Sequence, residues 1–362
     1  MSRAPLVSAF PLSDFRFSKS MTPDAKILSA LRANPGGVSG AQLAEQLAIS
    51  RAAIWARMDE LRKVGYDIEA GPHFGYRLVN SPDALHADDL LARLHARPRE
   101  PRSASTERLA GTLAPPIIIG RDIRVFEETT STNDVVEKLA RDGVKEGVVV
   151  FAESQTKGRG RLGRKWMSPT HKGLWFSILL RPKLSPQETT QLTVASATAL
   201  RRAIKNVTGV SADIKWPNDL LIGGKKVVGI LTEMSAEADR VRHVILGIGV
   251  DVNQEEFPAE LRAIATSLKN ESGGKICRAE LAVEILRELD FDYARICGGK
   301  FSAVADEWET GCATLGKKVS VQMGARLICG VAEALDDDGA LLVRTEHGHL
   351  ERVIGGDVTL EK

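Results

Sequence analysis

Between residues 97 and 121 the chain reads RPREPRSASTERLAGTLAPPIIIGR, with four prolines and no helical period. Proline lacks an amide donor and clashes with the turn before it, so no regular helix or central strand runs through such a stretch. The segment reads as a linker or irregular crossing, and the 362 residues fold as separate bodies around it. That length already exceeds one ordinary domain, and a hydrophobic content of 43% supplies ample core for two or three.

The net charge of +2 names no partner, because a basic region can be offset by acids elsewhere. Cys277, Cys297, Cys312 and Cys329 form no C-x-x-C pair. Their spacing fits neither a zinc ribbon nor a disulfide scaffold, which points to a reducing interior. No apolar run approaches the roughly 18–20 residues that cross a bilayer. The first 20 residues are basic and serine-bearing but lack an apolar h-region, so they read as a floppy extension. A cytoplasmic protein with no membrane partner is expected, and the HGH run at 347–349 reads as a polar turn.

Residues 22–81 form a compact unit. Thr22-Pro23 supplies a cap and a first-turn proline, followed by Ile27, Leu28 and Leu31 at helical spacing. NPGG at 34–37 breaks that helix, and a short second one follows Ser39. Ser50 then caps a third, RAAIWARMDELRKVG, with Ile54, Met58 and Leu61 inward and Gly65 as the stop. YDIEAGPHFGYRL closes the unit as two short strands. This order is the grammar of a winged helix-turn-helix, which makes Ser50, Arg51 and Arg57 candidate DNA contacts. A protein-interaction module stays open: seven Lys/Arg face six Asp/Glu between residues 22 and 80, and the wing tip GPHFGY carries no Lys or Arg.

Beyond the linker region, taken as 82–121, β and α patterns alternate. VVVFA (148–152), LWFSILL (174–180), KVVGILTEM (226–234) and HVILGIGVDV (243–252) read as strands, and residues 187–207 and 278–296 as helices. From Lys317 onward, short runs separated by turns such as DDDG suggest a small β-barrel. The expected domains are 122–314 and 315–362.

Within this region KGRGRLGRKW (157–166) packs five cations among three glycines with no acid. Its GRGRLG string matches a dinucleotide fingerprint only in spelling. The preceding strand ends several residues early, and Pro169 and Gly173 break the stretch after the string, where a helix would have to run. No Walker loop occurs either. What remains is a loop between strands whose glycines let the backbone wrap a ligand, while Arg159 and Arg161 offer planar forks for phosphate or carboxylate. Cations so crowded repel one another, so an anion is expected to order them. A surface nucleic-acid patch is the bland alternative.

The same loop recurs with TTSTND (129–134), KWPND (215–219), KKVVGILTE (225–233) and GIGVDVN (247–253) in one fixed order. In these motifs the sequence resembles the biotin–protein ligases, specifically the bifunctional bacterial type that doubles as biotin operon repressor. The resemblance spans residues 22–362. It implies an α+β multidomain fold: a winged helix-turn-helix, a central mixed β-sheet like those of class II aminoacyl-tRNA synthetases and lipoate ligases, and a C-terminal SH3-like β-barrel. It further implies ATP, Mg²⁺ and biotin as cosubstrates without a tightly bound metal. The implied partners are a biotin carboxyl carrier protein domain, operator DNA, and a second copy of the chain in a ligand-linked homodimer.

Carried over by motif, Ser131, Thr132, Asn133, Gln155, Gly158, Arg159 and Gly229 would form the biotin side. Arg161, Arg164, Trp166, Asn218 and Lys226 would form the nucleotide side, with Arg161 and Lys226 catalytic, and Asp219 would lie toward the incoming lysine. Ser131 also reads as a helix cap, and Trp166 as a core aromatic. One departure stands out: relatives commonly carry asparagine where this chain has Asp251. A lipoate ligase is disfavoured by the absence of its RRxSGGG-type motif. A ligase whose head has lost DNA binding, and a non-enzymatic small-molecule sensor, complete the alternatives.

Overall fold

A computed structural model describes residues 21–96, 117–237 and 240–360. The expected extension at 1–21, apart from Met21, and most of the proline-rich segment at 97–121 lie outside these residues. The chain divides into two units, Met1–Pro116 and Ile117–Lys362.

The first unit holds α1 (Pro23–Ala33), α2 (Gly40–Leu47), α3 (Arg51–Lys63), β1 (Asp67–Gly71), β2 (Gly75–Asn80) and α4 (Ala87–His95). Each of the first three helices begins where the sequence provides a cap. The Thr22 hydroxyl accepts from the Ala25 amide at 3.1 Å, Ser39 and Gln42 form a reciprocal capping box, and Ser50 accepts from Ala53 at 3.1 Å. Ile27, Leu28, Leu31, Leu43, Ile54 and Met58 share one buried core. The 82–121 stretch is not all irregular: α4 packs on α1 there, its buried Asp89 gripped by Arg32 at 2.5 Å and Arg93 at 3.0 Å.

The second unit carries β3 (Asp122–Thr129), α5 (Thr132–Arg141), β4 (Val148–Gln155), β5 (Gly173–Leu180) and α6 (Thr190–Thr208). It continues with β6 (Asp213–Lys215), β7 (Asp219–Ile222), β8 (Lys225–Glu237), β9 (Arg240–Asp251), α7 (Leu268–Ser272), α8 (Arg278–Cys297) and α9 (Phe301–Glu309). Its seven strands form one mixed sheet in the order β3-β4-β5-β9-β8-β7-β6, with β3 and β4 parallel and the other pairs antiparallel. Side chains alternate between faces along each strand, and residues directly opposite across an antiparallel pair share a face. On one face α5 packs Val136 and Ala140 against Val148, Val150, Leu179 and Ile245. On the other lies α6, tied to β8 by Thr193 and Thr232 at 2.9 Å.

Five further strands complete the unit: β10 (Lys318–Met323), β11 (Arg326–Leu335), β12 (Leu341–Thr345), β13 (Leu350–Val353) and β14 (Asp357–Leu360). They pair in the order β13-β12-β11-β10-β14. The expected barrel is therefore an open antiparallel sheet among the described residues, with no pairing between β13 and β14.

Arg278, fully buried at the start of α8, places its guanidinium 2.5 Å from Glu153 on β4 and also donates to the Gly173 carbonyl. His171 Nδ1 stands 3.1 Å from the same carboxylate. Truncating Arg278 would leave Glu153 as a buried charge without its principal partner, which usually costs about 3–5 kcal/mol. Arg278→Ala is expected to lower the stability of the second unit by that order in urea unfolding.

Candidate functional site

Residues at alternate positions on the α5 side of the sheet form the floor of a cavity of about 460 Å³. Gly229 on β8 stands opposite Gly249 on β9, which in turn stands opposite Trp175 on β5. Gly247, two residues along, faces Ser177 and Leu231. Two opposed glycines leave a trough on the pleated surface, and the Trp166 indole fills it. A Cβ on Gly229 would come within 2.6 Å of that ring, and one on Gly249 within 2.4 Å. Gly229, expected on the biotin side, is thus covered by Trp166 while still lining the cavity. The ring meets Trp175 edge-on at 6.3 Å, and its buried Nε1 has no hydrogen-bond partner among the described residues.

The basic loop is a small hairpin. Gly160 N–H donates to the Arg164 carbonyl at 2.7 Å, Trp166 N–H to the Gly158 carbonyl at 2.9 Å, and exposed Leu162 sits at the tip with φ 55°. Gly158 has a steric reason to be glycine, since a Cβ would lie 2.4 Å from the Trp166 carbonyl oxygen. The expected mutual repulsion of the cations is offset by protein acceptors. Arg159 pairs with Glu233 at 3.0 Å and Asp134 at 2.5 Å, Arg161 donates to Asn218 Oδ1 at 2.9 Å, and Arg164 pairs with Asp357 of β14. The Glu233 hydrogen bonds, ahead of Asp134, hold the Arg159 guanidinium more firmly charged, whereas burial weakens the charged form of Arg161.

At one end of the cavity Ser131 occupies the N-cap position of α5, but its hydroxyl makes no capping bond and lines the cavity. Gln155 Oε1 accepts from the Thr132 amide at 2.8 Å, and its Nε2 donates to Ser168 at 2.9 Å. Asn133 is enclosed: Ser177 donates to its Oδ1 at 2.5 Å, and its Nδ2 donates to Glu233 at 2.6 Å. Toward the other end, the Lys226 ammonium lies 2.6 Å from Asp219 and 5.2 Å from the centre of the Trp166 ring. Asn218 bridges Arg161 to the Ile230 carbonyl, which its amide reaches at 2.8 Å. Every residue expected for the ligand site except Gly158 lines this one cavity.

Several residues in or behind the cavity wall were not expected from sequence. Ser177 interrupts the apolar run of β5, and Gly247 and Gly249 alternate along β9; both breaks were visible as pattern. Glu233, which pairs with Arg159, and the Gly356–Val358 wall, contributed by the terminal sheet, carried no local signal. In the first unit, Ser50 caps α3 and Arg51 is exposed beside it. Arg57, the other candidate there, turns instead to Asp24 on α1 at 3.2 Å. It lies about 200° around the helix from the exposed Trp55.

Asp251 lines the cavity, is nine-tenths buried, and its carboxyl makes no hydrogen bond or salt bridge among the described residues. Burial pushes its carboxyl up to about 8, with Lys226 pulling the other way. The folded chain therefore holds this proton between pH 4 and 8 while the unfolded chain has lost it. Over that window stability falls as pH rises, by up to about 1.4 kcal/mol per pH unit. Asp251→Asn is expected to unfold at higher urea than the parent at pH 8 and to lose this advantage near pH 4.

Three family models match the chain: the Biotin/lipoate A/B protein ligase family over residues 125–251, an HTH domain over 24–77, and the biotin protein ligase C-terminal domain over 314–360. The bifunctional ligase/repressor BirA of Bacillus subtilis is 38% identical over 325 residues, covering 89% of this chain and 94% of that protein. The Escherichia coli BirA is 28% identical over 334 residues, covering 92% and 96%. Among solved structures, the biotin protein ligase from Aquifex aeolicus in complex with biotin and ATP is similar, with 32% identity and a TM-score of 0.58. That match covers 67% of this chain and 99% of the other. With this identity sustained over nearly the whole of its bacterial relatives, the chain belongs to the biotin protein ligase family.

Proposed function

We propose that the protein is an ATP-dependent biotin–[acetyl-CoA-carboxylase] ligase that also acts as a biotin-responsive transcriptional repressor. The supporting observation is the single cavity that gathers the polar STN–Gln155 end, Lys226 and the arginine hairpin. In the first step the biotin carboxylate attacks the α-phosphorus of ATP, pyrophosphate leaves, and a mixed anhydride forms. In the second, the amine of a carrier-domain lysine attacks the acyl carbon, forming an amide and releasing AMP.

Both substrates of the first step are anions, so fixed positive charge has to offset their repulsion and the charge that develops on the phosphoryl oxygens. Lys226, beside the Trp166 ring, is the group to hold carboxylate and α-phosphate together, exchanging Asp219 for them. Arg161 is half-buried and held by a neutral amide rather than a carboxylate, so it can donate to phosphate without breaking an ion pair. Arg164 and Trp166 complete the nucleotide side, and Asp219, once released, lies toward the acceptor amine. Ser131, Thr132 and Gln155 present polar atoms to the ureido ring of biotin. Mg²⁺ bound to the triphosphate would offset part of its charge, and the Asp251 carboxyl would face such a cation only once it has given up the proton that burial holds on it. Closure of the glycine-jointed hairpin keeps water from the anhydride.

In this reading residues 22–81 are the operator-binding head, 122–314 the ligase body related to class II synthetases and lipoate ligases, and 315–362 an SH3-like module. Ligand-linked homodimerisation would set two heads on a palindromic site.

Two measurements test the reading. Pyrophosphate release from ATP should depend on biotin, and Arg161→Ala should slow it by about a hundred- to a thousand-fold; release independent of biotin would overturn the ligase assignment. For the head, filter binding to promoter DNA over a range of salt should show Arg51→Ala lowering the salt slope by about one. Arg57→Ala, whose guanidinium is held by Asp24, should leave that slope unchanged.

A further inference from the structure

The two ends of the hairpin's environment are joined by one residue that the ligase reading leaves without a role. Glu233 faces the cavity side of β8, beyond Leu231 and Gly229. Its Oε1 accepts from Arg159 Nε at 3.1 Å, and its Oε2 accepts from Arg159 Nη2 at 3.0 Å and from Asn133 Nδ2 at 2.6 Å. We propose that Glu233 is a positioning residue for the ligase reaction, latching the arginine hairpin to the sheet and fixing the direction of the hydrogen-bond chain at the biotin end.

The direction is set by donor and acceptor counting. An ionised carboxylate only accepts, so it turns the Asn133 NH₂ toward itself and the Asn133 carbonyl oxygen toward Ser177. The Ser177 hydroxyl must then spend its one proton on Asn133 at 2.5 Å. The Thr132 hydroxyl, 2.7 Å from Ser177, must therefore donate to it. With that proton committed, Thr132 Oγ1 offers only lone pairs to a ligand, which suits the N–H donors of a ureido ring. Gln155 is oriented by the Thr132 amide and Ser168, and its Oε1, 3.2 Å from Thr132 Oγ1, is a second and longer acceptor for the same hydroxyl proton, which stays within the protein in either case. A Cβ on Gly247 would come within 2.3 Å of Asn133 Oδ1, so the amide also has little room to turn over.

The same carboxylate forks the Arg159 guanidinium, which a third nitrogen ties to Asp134 at 2.5 Å. Arg159 is thereby the hinge-side anchor of the hairpin, and the pairing is bidentate, the geometry in which Arg–carboxylate contacts are strongest. Losing Glu233 would both free the hairpin and let Asn133 present either end to Ser177.

The inference rests on the ligase reading for its substrate, but one arm of its test needs no turnover. The hairpin carries five tryptic sites, Lys157, Arg159, Arg161, Arg164 and Lys165. Limited trypsin digestion followed by intact mass reads cleavage after Arg164 or Lys165 in the parent, in isosteric Glu233→Gln, in Arg159→Ala and in the double variant. Each single change is expected to speed cleavage about tenfold, and the double variant no further than either. In biotin-dependent pyrophosphate release, Glu233→Gln should raise the KM for biotin at least tenfold and leave that for ATP within about twofold. Unchanged cleavage in both single variants, additive cleavage in the double, or an unchanged KM for biotin overturns the proposal. Should the parent release no pyrophosphate with biotin, the ligase reading falls while the cleavage comparison still decides the latch.

Discussion

Gly229 and Gly249 stand opposite one another on neighbouring strands, and the indole of Trp166 lies where their side chains would be. That steric vacancy organises the second unit. It draws the end of the basic hairpin onto the sheet, sets an aromatic wall beside Lys226, and leaves the remaining floor to small or polar side chains. β-strands normally bury both faces of a central sheet with branched apolar residues. Here the α6 side of β5, β8 and β9 follows that rule, with Ile178, Ile230, Ile248 and Val250 all buried. The opposite face keeps it only under α5.

Charge is handled by the same economy of placement. A hairpin with five cations and no acid in its own sequence could not persist against the sheet without help. The help comes from far along the chain: Asp134 from α5, Glu233 from β8 and Asp357 from β14. Only Arg161, among the hairpin arginines, is met by a neutral amide. Partly exposed pairs of this kind hold geometry more than they add stability, since solvent screens most of their attraction. Their effect is to leave one guanidinium, that of Arg161, lining the cavity without a carboxylate partner of its own.

Much of this was legible in the sequence, and the reason is local. The three caps at Thr22, Ser39 and Ser50, the apolar spacing of α1 and α3, and the alternation of β8 and β9 depend on residues a few positions apart. The residues expected for the ligand site could be named because they sit in short motifs, and all of them but Gly158 line one cavity. What escaped was long-range. Nothing near Glu233 foretells that it meets Arg159, 74 positions earlier, and nothing near Arg57 foretells Asp24. α4 went unread because its apolar residues, Leu90 and Leu94 among them, share a short stretch with Asp88, Asp89 and Arg93 ahead of the prolines. The terminal strands were anticipated, but their closure into a barrel was inferred from run lengths, which do not fix whether the first and last strands meet.

The turn at Gly355–Asp357 gives the terminal sheet a stake in the cavity. Gly356, Asp357 and Val358 supply part of its wall, and a Cβ on Gly355 would come within 3.2 Å of the Arg161 guanidinium. Modules that look severable by family match are here indivisible in chemistry. A fragment ending before residue 315 would retain the floor and the hairpin while losing the counter-ion of Arg164, so its deficit would surface in the cavity wall and the hold on the hairpin rather than in the integrity of the central sheet.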